Sequence, residues 1–298
     1  EIVEEPDADG NYFRFKIQMP IKLAIHGAAG RMGRRVVDLA SQDPQIQIIA
    51  ALESAGSHFL GQDAGLIAGG EKLGVPLSVV GESAADVVID FSVPDAGIAI
   101  VDHCLKSKKP LVIATTGFEP DQKEFIATAA QQIPIVFAPS MSTAVNLVMK
   151  LTEIAGKVLK DYPSGVDVEI IERHHRFKED APSGTALKFG EIVAEAMGLA
   201  DHVHGREGRT GKRTPQEIGY HAVRTGDNPG EHTIVFGMLG ETIELRVAAS
   251  NRDCYAQGAI LAAKWLVGKP AGMYGMKEVL SLIHISEPTR LRRISYAV

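Results

Sequence analysis

The chain has 298 residues, 45% of them hydrophobic and 23% charged, with a formal net charge of −6. That length suits two modest domains, the composition excludes a disordered chain, and no apolar run approaches the ~18 residues of a membrane span. The negative balance argues against a nucleic-acid binder. Cys104 and Cys254 make neither a disulfide framework nor a zinc cluster and are read as buried thiols. The expectation is a soluble cytoplasmic protein that engages neither membrane nor nucleic acid.

Residues 1–20 are acidic, aperiodic before Phe13, and lack the basic and apolar regions of a secretory signal. They are read as an extension outside the domain that follows, either frayed or artificially added. From Ile21 strand and helix patterns alternate. Ile21 to His26 is a short apolar run ending in glycines, and Arg31 to Ser41 carries Met32, Val36, Val37 and Ala40 at helical spacing. Strands are predicted at 46–52, 86–91, 111–115 and 135–138, with helices at 95–107 and 121–132. Such alternation implies a parallel sheet covered on both faces.

Near Ser142 the pattern changes. A long helix over 145–160 leads to an alternating strand at 166–173, and a second helix runs over 185–197. The 205–212 stretch is basic and loop-like. Strands at 218–223, 232–236 and 241–250 then follow without intervening helices, which suggests an antiparallel or mixed sheet. A last helix, 256–267, is expected to return to the first domain. The fold class is therefore α/β, a Rossmann-type parallel-sheet domain (21–144 plus 253–281) with an α+β domain built on a mixed sheet (145–252). The final 17 residues, 282–298, have no amphipathic period and resemble the translation of a sequencing adapter. They are read as a non-native tail, and the basic patch of Arg290, Arg292 and Arg293 is set aside with them.

Two segments carry chemistry. The first strand runs into Gly27-Ala28-Ala29-Gly30-Arg31-Met32-Gly33. Glycines there let the backbone turn tightly and approach a pyrophosphate, while the following helix start offers free N–H groups and its positive dipole end. The spacing is GxxGxxG, weak alone, but it follows a strand and opens a helix. Glu53 ends the next strand where a ribose would lie. Ser54 beside it supplies no cation for a 2′-phosphate, so the cofactor is NADH or NADPH with a lean to NADH; Arg31 is the residue that would serve NADPH.

The second segment is Glu172-Arg-His174-His175-Arg-Phe-Lys178, followed by Asp180-Ala-Pro-Ser183-Gly184-Thr185. Adjacent strand histidines point to opposite faces, and no ligand spacing surrounds them, so a metal is not expected. Histidine and lysine instead offer protons and positive charge. Ser183, the Gly184 and Thr185 N–H groups and the Thr185 hydroxyl offer an anion site at a helix start, a place where Ser183 also reads as an N-cap. The expected ligand is an acidic small molecule.

These residues, with Ala114-Thr115-Thr116-Gly117-Phe118, Arg224-Thr-Gly-Asp and Gly230-Glu-His232, resemble the 4-hydroxy-tetrahydrodipicolinate reductase (dihydrodipicolinate reductase) family across about Ile21 to Ser281. The resemblance implies a cytoplasmic homotetramer whose first domain binds NAD(P)H and whose second binds a dicarboxylate substrate and forms the oligomer. It implies His174 and Lys178 as the catalytic proton carriers, and His175, Ser183, Gly184 and Thr185 as substrate contacts. Cofactor contacts would come from Gly27, Ala28, Ala29, Gly30, Arg31, Met32, Glu53, Ala114, Thr115, Thr116, Ala138, Pro139, Ser140 and Met141. Three positions depart from the family pattern. Ser54 stands where enterobacterial-type members carry an Arg, Ser140 where the family usually has Asn, and Ala114 where it usually has Gly. Another NAD-dependent dehydrogenase of similar architecture, or a non-catalytic NAD-binding protein, are the alternatives.

Overall fold

The computed structural model describes the backbone of residues 2–6 and 12–16 and the whole of residues 19–281. The tail read as non-native lies outside the described residues. The chain divides into two compact units, Glu1–Ser142 with Asn251–Gly275, and Thr143–Ser250 with the described part of Met276–Val298. Residues 276–279 thus group with the second unit, where the sequence reading had carried the first domain to 281.

The first unit opens with β1 (Ile2–Pro6) and β2 (Tyr12–Lys16), paired antiparallel with Ile2 opposite Lys16. These strands are paired rather than frayed, and the reason is local. Tyr12-Phe13-Arg14-Phe15 and Ile2-Val3 are strong β-formers at hairpin spacing. The unit continues through β3 (Ile21–His26), α1 (Arg31–Ser41), β4 (Ile46–Leu52), α2 (Ala64–Ala68), β5 (Leu77–Ser78), β6 (Val87–Asp90), α3 (Pro94–Ser107), β7 (Leu111–Ile113), α4 (Pro120–Ala130) and β8 (Pro134–Phe137).

The second unit holds α5 (Thr143–Leu159), β9 (Asp167–His174), α6 (Gly184–Met197), β10 (Asp201–His204), β11 (Glu217–Arg224), β12 (Glu231–Met238) and β13 (Glu241–Ala248). The chain then returns to the first unit with α7 (Asp253–Leu266) and β14 (Gly272–Tyr274), and ends its described part with α8 (Met276–Val279) in the second.

The first sheet is ordered β14-β8-β7-β6-β3-β4-β5, and every pair in it is parallel. Its strands are short and mostly apolar, as burial on both faces requires. Ala24, Val88, Leu111, Ile113 and Ile135 pack with Ile100, Val101 and Ile126 of α3 and α4. Residues alternating with these, such as Leu23, Ile25, Ile89 and Val136, are buried on the other face, where α1 and α7 pack on each other and on the strands.

The second sheet is mixed, β10-β11-β9-β12-β13, with β9 parallel to β11 and antiparallel to β12. One of its faces is apolar. Val168, Ile170, Ile218, Tyr220, Ile234 and Phe236 pack against Phe189 and Val193 of α6 and Val145 and Met149 of α5. Truncating a fully buried ring such as Phe236 to Ala would cost about 3–5 kcal/mol. No helix among the described residues is long and apolar enough to cross a membrane.

Candidate active site

The turn after β3 is built for close approach. Gly27 has φ +74°, and a Cβ on it would stand 2.5 Å from the Phe91 carbonyl oxygen. A Cβ on Gly33 would stand 2.0 Å from the Gly27 carbonyl oxygen, so α1 can lie against the turn only without a side chain there. Gly30 is the N-cap of α1 and no side chain caps that end. The first-turn N–H groups of the helix are left for an anion.

The Glu53 carboxylate, at the end of β4, accepts from the Ala29 N–H (2.8 Å) and from the Ser54 N–H (3.1 Å). Arg34 donates from Nε to the Ala29 carbonyl (2.7 Å) and lays its guanidinium over the Phe59 ring, 4.9 Å from the centroid. A cation therefore sits one helical turn beyond Arg31, which is itself exposed.

Beneath the turn lies a polar network the sequence reading did not anticipate. His26 Nδ1 is 2.7 Å from Asp90 Oδ1, Thr115 Oγ1 donates to Asp90 Oδ2 (2.7 Å), and the Ser92 N–H donates to Thr115 Oγ1 (2.8 Å). It ties together the carboxyl ends of β3, β6 and β7. The available signal was a His and an Asp each ending an otherwise apolar strand. Thr115 was expected to touch cofactor, yet its hydroxyl is buried and committed here. Thr116 is exposed and Ala114 half-buried. Of the expected contacts after β8, Pro139 is exposed, whereas Ala138, Ser140 and Met141 are buried.

In the second unit the inner face of β9 reads Val168, Ile170, Glu172, His174, because alternate residues share a face. Its apolar end builds the core, and its polar end builds the site. His174 closes the strand, opposite Arg224 of β11, and Glu172 lies opposite His232 of β12. Glu172 is 1% exposed and accepts four hydrogen bonds. They come from His174 Nδ1 (2.5 Å), from Arg224 Nη1 and Nη2 (2.8 and 2.7 Å), and from the Ser183 N–H (3.1 Å). Burial pushes this carboxyl up, but the bonds from Arg224 and His174 outweigh it and hold the group below the usual range.

Burial pulls His174 below the ordinary histidine value, and the neighbouring Glu172 carboxylate offsets only part of that. Burial likewise takes His232 down to about 4, so its ring is neutral near pH 7. The two rings meet edge to face at 5.2 Å. Lys178 pairs with Asp180 (2.7 Å) and also acts on His174 through its charge. His175 has a buried Nδ1 without a hydrogen-bond partner among the described residues.

Ser183 is the N-cap of α6. Its Oγ accepts from the Ala186 N–H (3.2 Å) and shares a hydrogen bond with His232 Nε2 (3.0 Å). This side chain faces inward and caps the helix. Gly184 is exposed and Thr185 half-buried at the helix start. Arg224 and Glu172 had entered the sequence reading only as parts of matching strings. What makes them part of the site is strand pairing over 52 residues, which local spacing does not display.

Among the described residues no cluster of His, Cys, Asp and Glu is arranged to hold a metal ion. The glycine turn, the uncapped helix and the acid beside them define a class, the dinucleotide-dependent oxidoreductases with a Rossmann-type unit. Comparison with known proteins narrows it. The family described as "Dihydrodipicolinate reductase, N-terminus" matches residues 21–141, and "Dihydrodipicolinate reductase, C-terminus" matches 144–280. The chain belongs to the dihydrodipicolinate reductase family.

Two relatives are named 4-hydroxy-tetrahydrodipicolinate reductase. The one from Rhodopirellula baltica is 59% identical over 271 residues, covering 88% of this chain and 97% of that protein. The one from Thiobacillus denitrificans is 47% identical over 270 residues, covering 89% and 100%. A dipicolinate-bound dihydrodipicolinate reductase from Paenisporosarcina sp. TG-14 aligns with TM-score 0.69 and 27% identity, over 87% of this chain and 99% of that one. An amine dehydrogenase from Mycobacterium smegmatis shares the fold at TM-score 0.60 and 11% identity, covering 85% and 94%.

Proposed function

We propose that this chain reduces 4-hydroxy-tetrahydrodipicolinate to tetrahydrodipicolinate in diaminopimelate and lysine biosynthesis, working as a homotetramer. The observation that carries the reading is Glu172. By binding both His174 Nδ1 and the Ser183 N–H, it sets a proton-carrying imidazole beside the start of α6, where Gly184 is exposed and Thr185 half-buried. Proton chemistry and anion recognition meet there, as an acidic imine substrate requires. The two relatives named for this activity support the same conclusion.

The first unit fits a dinucleotide, because Gly27 and Gly33 allow a tight turn packed on Phe91 and α1, and the start of α1 carries no side-chain cap. Bound NADH or NADPH supplies the hydride. Gly27, Ala28, Ala29, Gly30, Arg31 and Met32 would hold the pyrophosphate, Glu53 the ribose, and half-buried Ala114 with exposed Thr116 and Pro139 the rim. Glu53 with Ser54 favours NADH.

In the second unit the substrate's two carboxylates need cations and donors. Lys178, His175, the Gly184 and Thr185 N–H groups and the Thr185 hydroxyl supply them. The hydroxyl of the substrate leaves as water, and hydride delivery leaves negative charge on an enamine-like product. Protonation from His174, with Lys178 beside it, quenches that charge, a contribution of roughly 10² to 10⁴ in rate.

The test follows nicotinamide absorbance with substrate fed from a coupled upstream synthase, using NADH and then NADPH. Oxidation that depends on the synthase supports the reductase, and faster oxidation with NADH supports the Glu53–Ser54 reading. No oxidation with either cofactor in a folded sample overturns the proposal in favour of a binding protein.

A further inference from the structure

We infer that Glu172, clamped by Arg224, is the positioning residue that fixes which nitrogen of His174 faces the substrate. This rests on the reading of His174 as the proton donor, and its first test is independent of turnover.

An ionised carboxylate can only accept, so the 2.5 Å contact with Oε2 requires the proton on His174 Nδ1. Nε2 is then the nitrogen left to exchange a proton with substrate. A neutral imidazole without that partner would partition between tautomers; with Nδ1–H held by Glu172, the second proton is taken up at Nε2 and donated from there to the substrate. Glu172 cannot turn away. Arg224 takes both of its oxygens in a bidentate pair and anchors its own Nη2 on the Asp180 carbonyl (2.6 Å), while the Ser183 N–H holds Oε1 from the start of α6. Three separate pieces of chain, the ends of β9 and β11 and the entry to α6, converge on one side chain.

Other charged groups do not duplicate this role. The titratable and charged groups around His174 are Glu172 on its own strand, Arg224 on β11, His232 on β12, and Lys178 and Asp180 in the following loop. Lys178 and Arg224 disfavour a second positive charge on the ring, His232 is neutral near pH 7, and Asp180 is engaged by Lys178. Glu172 is the carboxylate that supports protonation of His174.

The first measurement is ¹⁵N NMR of the wild-type full chain, with the His174 resonances assigned by their loss in His174→Gln. The expected result is a neutral ring protonated at Nδ1, with that proton far downfield from its bond to the carboxylate. A ring protonated at Nε2 overturns the inference. The second is Glu172→Gln. Its basic limb in the kcat/KM profile is expected about one pH unit lower than in wild type, with kcat down about 10- to 100-fold, and KM for the dicarboxylate and the NADH affinity changed less than about threefold. An unmoved limb, or a loss confined to KM, also overturns it. If the Gln variant fails to fold, the wild-type spectrum alone decides. If His174→Gln leaves turnover intact, the reductase reading fails while the tautomer result still stands or falls by itself.

Discussion

Glu53 and Ala29 are joined by a hydrogen bond of 2.8 Å between the carboxylate and the backbone N–H, so the acid at the end of β4 also braces the phosphate turn after β3. One residue thus couples the part of the site that would read the ribose to the part that would hold the pyrophosphate. Ser54, next to it, is exposed and uncharged at neutral pH. Ser54→Arg should place a cation for a 2′-phosphate without disturbing the Glu53–Ala29 bond. The expected outcome is a shift in the NADPH-to-NADH ratio of kcat/KM of about tenfold or more towards NADPH, since a charge-assisted hydrogen bond is worth about 1.5–3 kcal/mol. An unchanged ratio would show that Arg34 or Arg31 already fills that role.

Gly33 offers a steric test of the cradle. An added methyl would meet the Gly27 carbonyl oxygen at 2.0 Å, and backbone there has no room to yield. Gly33→Ala should weaken NADH binding by at least about tenfold in a fluorescence titration, a loss of 1.4 kcal/mol or more. Affinity equal to wild type would mean that the turn does not contact the dinucleotide.

His174→Gln should lower kcat by about 10² to 10⁴ with NADH affinity within about twofold. The pH dependence adds a sign. The donor works only when protonated, and burial holds His174 below about 6.5, the ordinary value. In kcat/KM, which reports the free enzyme, activity should therefore fall with rising pH through a pKa below that value, and the limb should vanish in the Gln variant. A limb that survives the substitution would assign it to another group.

Stability carries its own pH signature through His232. Its folded pKa of about 4 lies below the unfolded value of about 6.5, so between those limits the unfolded chain binds more protons. Stability from this group is complete above pH 6.5 and is lost as pH falls towards 4. Between pH 7 and pH 5 the loss is about 2 kcal/mol, readable in urea unfolding at the two pH values. His232→Gln should flatten that dependence, and an equally steep one in the variant would place the acid sensitivity elsewhere.

The alternation of short apolar strands with helices from Ile21 to Phe137 was readable because parallel strands buried on both faces have nowhere to put polar residues. The mixed sheet was readable from strands following one another without helices. The pieces that escaped are short or non-local. Leu77–Ser78 and Gly272–Tyr274 are edge strands of two and three residues that exist only by pairing with a sheet already formed. Asp90 and Glu172 are ordinary acids in sequence; Asp90 is bound by partners 25 and 64 residues away, and Glu172 is clamped by Arg224, 52 residues away. Ser183 was legible as a cap because capping is local, whereas its bond to His232 was not.

The first unit is interrupted. It leaves off at Ser142 and resumes at Asn251, and the returning α7 lies against α1 and β6 to β8, with Asp253 pairing with Arg35 of α1 at 2.6 Å. During synthesis from the amino end, the sheet and two large helices of the second unit are complete by Ser250, before the first unit has received its last helix. A growing chain therefore holds most of the later unit while the earlier one still lacks the helix that covers β6 to β8 beside α1. At a synthesis rate of about 5–20 residues per second, completing α7 after Ser250 takes about 1–3 s, an interval in which apolar surface of the first unit is open to non-native contacts.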